Sequence, residues 1–158
     1  SIVKSFESYQ FVIGGVESID KEKYSKLIKN KNVKVVFNQT YNLLANAEAA
    51  IVTSGTASLE AAIFNVPQVV CYKTSIITYF ISKILVNIKH ISLVNLILNN
   101  KVVDELVQGS LNSNSLKDSL NKILKKDNKS KLLQSYNDLK SMLYKDNPSK
   151  RTAELIMK

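Results

Sequence analysis

The sequence predicts an α/β fold in which a doubly wound, mostly parallel sheet is followed by carboxyl-terminal helices. In the first half of the chain, short apolar runs alternate with helix-like segments, and the connections are only a few residues long. That alternation is the pattern of parallel β-α units. The apolar runs also show little polar alternation, which is typical of strands that are covered on both faces.

Four strands and three helices account for this first half. The expected strands are 11–15, which ends in two glycines, 33–37, 50–54, and 67–73, which begins at Pro67. The expected helices are 20–30 with Asp20 as its cap, 41–50 with Thr40 as its cap, and 56–65. The second of these helices carries Leu43, Leu44 and Ala47 at helical spacing.

The second half of the chain has a different pattern. Residues 75–100 are strongly apolar and are interrupted by Lys83, Lys89 and His90. Beyond them we expect helices at 101–108, 114–126, 129–145 and 149–158. No linker or internal repeat divides the sequence. Residues 1–158 are therefore expected to form one domain with three parts: β-α units over 1–74, an apolar membrane or interface segment over 75–100, and a helical tail over 101–158.

Composition and charge exclude several kinds of function. Cys71 and His90 are the only cysteine and histidine, so we expect no internal disulfide, no metal site built by the protein and no cofactor. The net charge is +9, but Arg151 is the only arginine, whereas nucleic-acid recognition favours arginine interleaved with aromatic residues. The lysine excess is either a solvated surface or an attraction to an anionic partner.

The stretch IVTSGTASLEAA, residues 51–62, is the strongest candidate for a binding site. Gly55 lets the backbone turn sharply between a strand and a helix, at the carboxyl edge where open α/β sheets bind ligands. The helix start offers unpaired N–H groups, and Ser54 and Thr56 add hydroxyl donors, which together suit a phosphate. Glu60, one turn further on, can accept hydrogen bonds from a sugar diol. The alternative interpretation is an ordinary helix cap beside a turn glycine.

A longer stretch of the sequence resembles a known family. The segments SGTASLEA, VPQVVCYK and ISLVNLI, in that order between about residues 50 and 108, resemble the carboxyl-terminal half of bacterial lipid-A-disaccharide synthase. The resemblance implies the UDP-binding, Rossmann-like half of a GT-B fold. It also implies an inverting, metal-independent hexosyltransferase that joins UDP-2,3-diacylglucosamine to 2,3-diacylglucosamine 1-phosphate and releases UDP.

The resemblance also assigns roles to particular residues. It places Ser54, Gly55 and Thr56 at the UDP phosphates and Glu60 at the ribose. Tyr72, Asn95 and Gln108 would lie near the nucleotide cleft, with packing or capping as the alternative for Tyr72 and Asn95. The catalytic base belongs to an amino-terminal half that this sequence lacks, so no catalytic residue is expected among these 158 residues, and the fragment alone is expected to be inactive.

Partners and location follow from the same resemblance. Acylated substrates imply a peripheral enzyme on the cytoplasmic face of the inner membrane, and no apolar stretch of about 20 residues is available to span a bilayer. Residues 75–86, as a helix, are expected to meet lipid or a second subunit in a homodimer. A chain that starts at Ser1 is expected to be a fragment of a two-domain enzyme.

Two other functions remain open at this point. Another UDP-sugar GT-B enzyme, of the 2-epimerase or peptidoglycan glucosaminyltransferase type, would share the glycine loop and the ribose-binding glutamate, but it has no need of the apolar segment. A basic nucleic-acid-binding module would explain the charge, but it lacks the arginine-rich face such a module uses.

Overall fold

The computed structural model describes residues 2–28, 31–53, 55–74, 89–144 and 148–157, and the elements are labelled here in their order along those ranges. The helices are α1 (Ile2–Ser5), α2 (Lys21–Leu27), α3 (Thr40–Asn46), α4 (Gly55–Ile63), α5 (Leu93–Leu98), α6 (Ser113–Leu124), α7 (Lys126–Tyr144) and α8 (Pro148–Ile156). The strands are β1 (Phe11–Gly15), β2 (Val33–Phe37), β3 (Ala50–Val52), β4 (Gln68–Tyr72) and β5 (Asp104–Val107). Ser54 and the 75–86 segment, both singled out from the sequence, lie outside the described residues.

The strands confirm the predicted α/β class with parallel pairing. β1 pairs in parallel with β2, and β4 pairs in parallel with β3 on one side and β5 on the other. Within the described ranges these are two sheets, because no ladder joins β1 to β3. Parallel pairing places all the carboxyl ends of one sheet at the same edge, which is where the candidate site lies.

One predicted helix is wrong. The sequence pattern predicts a helix over 101–108, but Asp104–Val107 form β5, with Val69 opposite Asp104 and Tyr72 opposite Val107. Four residues cannot show a clear period, and the long-range pairing with β4 decides between helix and strand. Within the described residues beyond 100, the chain therefore forms a strand, a short 3-10 helix over Gln108–Ser110 and three α-helices.

Helix boundaries also differ from the predicted ones. The helix expected over 41–50 begins at Thr40 and ends at Asn46, its N-cap is Gln39, and no side chain caps it, so Thr40 is a helical residue rather than the cap. Asp20 is the cap predicted for α2, since its carboxylate accepts a hydrogen bond from the Glu22 amide. The phosphate-site helix α4 begins one residue early, at Gly55.

The core lies on both faces of β4. Val70 packs in one cluster with residues of α4, α5 and α7, while Val69 and Cys71 pack in another with Phe6 and residues of α6. Val69 and Val70 are 0% and 1% exposed, as expected for a strand covered on both sides. Burial raises the pKa of the Cys71 thiol, which keeps it protonated and apolar in character. This packing fixes α4 and α5 against the sheet and so positions the candidate site.

Candidate functional site

The start of helix α4 is the first part of the site. Gly55 and Thr56 form its first turn at the carboxyl end of β3, and Thr56 is exposed. Ser58 turns inward instead: it is 0% exposed, and its hydroxyl donates to the Gly55 carbonyl at 2.6 Å. Backbone N–H groups at a helix start and an exposed hydroxyl such as that of Thr56 are the groups that bind an anion.

Another helix packs against Gly55 at the tip of α4. A Cβ placed on Gly55 would lie 3.1 Å from Cγ of Leu93, the first residue of α5. That distance is tighter than an ordinary van der Waals contact, so a Cβ here would require the Leu93 side chain to move by a few tenths of an ångström. The start of α5 therefore packs closely against the tip of α4.

Glu60 lies beside a cleft at the same edge of the fold. The cleft has a volume of about 450 Å³ and lies between α4 and the turn that follows β2. Its lining combines a carboxylate, three amide side chains, a hydroxyl and an aromatic ring, contributed by Glu60, Asn38, Gln39, Asn42, Thr40 and Tyr41. The Tyr41 ring stacks on Phe64 with centroids 5.6 Å apart. A carboxylate, amides and an aromatic ring are the groups that recognise the sugar and base of a nucleoside.

Tyr72 and Gln108 both lie at the carboxyl ends of neighbouring strands, β4 and β5. Tyr72 ends β4, is 36% exposed and lies opposite Val107 in the register. Gln108 follows β5 with a φ of 50°, in the left-handed region that a glutamine rarely adopts. Its amide donates to the Thr74 carbonyl at 3.0 Å and accepts from the Thr74 N–H at 3.4 Å. Gln108 thus ties the ends of the two strands together.

Asn95 is buried behind the tip rather than open to the cleft. It is 0% exposed, and its side-chain oxygen accepts from the N–H groups of Val102 and Val103 at 2.8 and 2.9 Å. Its side-chain nitrogen donates to the Val103 carbonyl and to the Glu105 carboxylate at 2.9 and 2.8 Å. Direct contact with a nucleotide would require these bonds to break. The geometry instead suits a residue that fixes α5 to the start of β5.

Glu105 completes this network. Its carboxylate accepts from the N–H groups of Ile91 and Ser92, from the Ser92 hydroxyl and from Asn95, at 2.7–3.0 Å. Burial alone would raise the pKa of this carboxyl, but the hydrogen bonds outweigh burial and hold the pKa below its usual value. The ionised carboxylate therefore anchors the beginning of α5, whose first residue, Leu93, packs against Gly55.

Sequence reasoning did not select Glu105, Ser92 or Gln68. Ser92 could have been found locally, because a serine directly before an apolar helix is a typical N-cap, and its hydroxyl does accept from the Asn95 N–H. Glu105 and Gln68 gave no local indication, since their partners lie 10 or more residues away in the sequence. Gly55, Thr56 and Glu60 therefore lie on one helix, α4. Buried hydrogen bonds of Gln68 and Glu105 hold α4 and the adjacent helix α5 in place.

None of the helices within the described ranges is both long and apolar enough to cross a lipid bilayer.

Comparison with known proteins identifies close relatives. The family model described as lipid-A-disaccharide synthetase matches residues 1–157. The lipid-A-disaccharide synthase of a Sulfurihydrogenibium species is 38% identical over 123 residues, which is 70% of this chain and 32% of that protein. The enzyme so named in Aquifex aeolicus is 43% identical over 90 residues (55% and 25%), and that of Syntrophus aciditrophicus is 42% identical over 80 residues (51% and 21%). The matched part of the chain spans about a fifth to a third of the length of these relatives.

Proposed function

The chain belongs to the lipid-A-disaccharide synthetase family, and from that premise we propose that it is the UDP-binding part of the glycosyltransferase. The reaction proposed for the whole enzyme joins UDP-2,3-diacylglucosamine to 2,3-diacylglucosamine 1-phosphate with inversion and releases UDP. This chain is proposed to hold the nucleotide of the donor, while the catalytic base lies in a part of the enzyme outside these 158 residues.

One observation carries this proposal. The tip of α4 and the cleft that Glu60 lines lie on the same helix, less than two turns apart, at the carboxyl edge of parallel strands. A diphosphate on the Gly55 and Thr56 amides would direct its nucleoside toward Glu60 and the Asn38–Asn42 turn. The cleft volume of about 450 Å³ is within the range of small-molecule sites.

We propose the following roles for the site residues. Ser54, Gly55 and Thr56 bind the diphosphate, and Glu60 accepts hydrogen bonds from the ribose hydroxyls. Tyr72, at the end of β4, lies near the bound nucleotide. Because their amides are engaged within the protein, Asn95 and Gln108 are proposed to position α5 and the β4–β5 edge rather than to touch the ligand.

The chemistry asked of this chain is electrostatic. As the bond between the sugar carbon and the diphosphate oxygen breaks, negative charge grows on the departing UDP. A helix start and a hydroxyl already directed at that charge stabilise the transition state more than the ground state. No residue of this chain takes the proton from the acceptor hydroxyl in this scheme.

Titration with UDP and with uridine tests the proposal. At about 100 times its Kd, UDP is expected to raise the melting temperature of this chain by roughly 5–10 °C. Thr56→Val removes one hydrogen bond to a charged group, so it should weaken UDP binding roughly tenfold or more while leaving uridine binding unchanged. Ser141→Ala, at an exposed residue near the carboxyl end of α7, is the control. The diphosphate assignment is wrong if Thr56→Val binds UDP as tightly as the unmodified chain.

We further propose that the protein associates peripherally with the inner face of an anionic membrane through residues 75–86. The same residues are the alternative contact between two subunits of a homodimer. The net charge of +9 favours the membrane as a partner, since each basic residue near an anionic surface contributes about 1 kcal/mol. Vesicles that contain anionic lipid should sediment the chain at low salt, and Phe80→Asp should reduce the bound fraction. Equal sedimentation of this variant would remove the 75–86 segment as the anchor.

A further inference from the structure

We infer that Gln68 is a positioning residue that sets the tip of α4, an inference that rests on the proposed function. Gln68 begins β4 and is 0% exposed. Its side-chain nitrogen donates to the Ser58 carbonyl at 2.9 Å and to the Tyr136 hydroxyl at 3.0 Å. One buried amide therefore joins the sheet, the first turns of α4 and the middle of α7.

The contact reaches the tip through Ser58. The Ser58 hydroxyl donates to the Gly55 carbonyl at 2.6 Å, while the Ser58 carbonyl accepts from Gln68. Gln68 thereby holds α4 at a point one turn from Gly55 and Thr56, on the side opposite the exposed hydroxyl. The rotation of α4 about its axis, and with it the direction of its first N–H groups, is fixed by a residue that is buried inside the protein.

The energetics indicate that Gln68 is not kept for stability alone. Its side-chain oxygen is buried and has no hydrogen-bond partner within the described residues. Tyr136, its other partner, is also 0% exposed within an otherwise apolar cluster. Burying polar groups with incomplete pairing costs free energy, and replacing both partners with apolar groups of similar shape is often neutral or stabilising. The Gln68 amide at this position fits a role in orienting α4.

The experiment that tests this inference replaces the two buried polar side chains, Gln68 and Tyr136, with apolar groups of similar size. The double variant Gln68→Met/Tyr136→Phe should keep or raise the urea midpoint of unfolding, bind UDP roughly tenfold more weakly and bind uridine less than twofold more weakly. In the absence of ligand, the amides of Leu59 and Glu60 should exchange hydrogen roughly tenfold faster, because α4 is no longer held at Ser58. Ile123→Val, in the cluster on the other face of β4, is the control: it should lower the urea midpoint and change neither UDP affinity nor exchange in α4.

Gln68→Met alone carries the same expectations for UDP and exchange, and replaces the double variant if that variant does not fold. UDP affinity and α4 exchange both equal to those of the unmodified chain would overturn the inference. If the unmodified chain does not bind UDP at all, the proposed function fails, and the exchange of Leu59 and Glu60 then decides by itself whether Gln68 sets the helix. An exchange change without an affinity change would reduce Gln68 to a structural role.

Discussion

Replacing Glu60 with alanine is expected to remove half or more of the thermal shift that UDP produces at about 100 times its Kd. The carboxylate is half-buried at the edge of the cleft, where it can accept hydrogen bonds from two ribose hydroxyls. Hydrogen bonds to a charged group contribute about 1.5–3 kcal/mol, so UDP binding should weaken roughly 10- to 100-fold. Calorimetric titration of both proteins with UDP measures the change directly.

A second nucleotide makes this test specific for the sugar. If Glu60 binds the ribose, the unmodified chain should prefer UDP over 2′-deoxy-UDP, and Glu60→Ala should lose that preference while keeping the remaining affinity for the diphosphate. Glu48→Ala is the matched control, because Glu48 is a surface glutamate that pairs with Lys129 at 2.7 Å. An unchanged UDP affinity in Glu60→Ala would remove Glu60 from the ribose role.

The sequence alone predicted that Glu60 lies on a helix, but it did not predict the residues that line the cleft beside it. The alternation of apolar runs and helices correctly placed the strands Phe11–Gly15 and Val33–Phe37, and it placed α4 within one or two residues at each end. Strand propensity in short apolar runs bounded by turn residues accounts for this success, although both strands are only partly buried and Ile13 is 39% exposed. The sequence predicted a helix that begins near Thr40, but only the fold shows that Asn38–Asn42 line a cleft together with Glu60.

The missed features share a physical cause. The sequence pattern around β5 wrongly predicts a helix. Asp104–Val107 is too short to show a clear period, and it forms a strand because it pairs with β4, more than 30 residues earlier in the sequence. Glu105 and Gln68 act through partners that come together only after folding. For Asn95, the resemblance placed the residue near the nucleotide cleft, and only the fold reveals the contacts of its amide inside the protein.

Substituting Asn95 by leucine is expected to be among the most destabilising changes in the chain. The variant would leave the N–H groups of Val102 and Val103 without their acceptor and would remove one donor from the Glu105 carboxylate. Buried groups that lose their partners cost about 1–3 kcal/mol each, so the free energy of unfolding should fall by roughly 3 kcal/mol or more. Asn46→Leu removes a single exposed contact and should cost less than about 1 kcal/mol in the same urea titration.

The isosteric change Asn95→Asp separates hydrogen bonding from volume. Its carboxylate can still accept from Val102 and Val103, but at neutral pH it places a second negative charge 2.8 Å from the Glu105 oxygen, where the amide now donates. Two carboxylates at that distance cannot both stay ionised without cost, so the pair should have one pKa raised in the folded state above the usual value of about 4.

A raised folded-state pKa means that protonation favours the folded form. The destabilisation of Asn95→Asp should therefore be largest at pH 7 and should shrink as the pH falls through that raised pKa, because the introduced carboxyl, once protonated, can again donate to Glu105. Asn95→Leu, which has no proton to gain, should show no such recovery. A constant difference between Asn95→Asp and the unmodified chain from pH 7 to pH 4 would show that the amide of Asn95 is not bonded to Glu105.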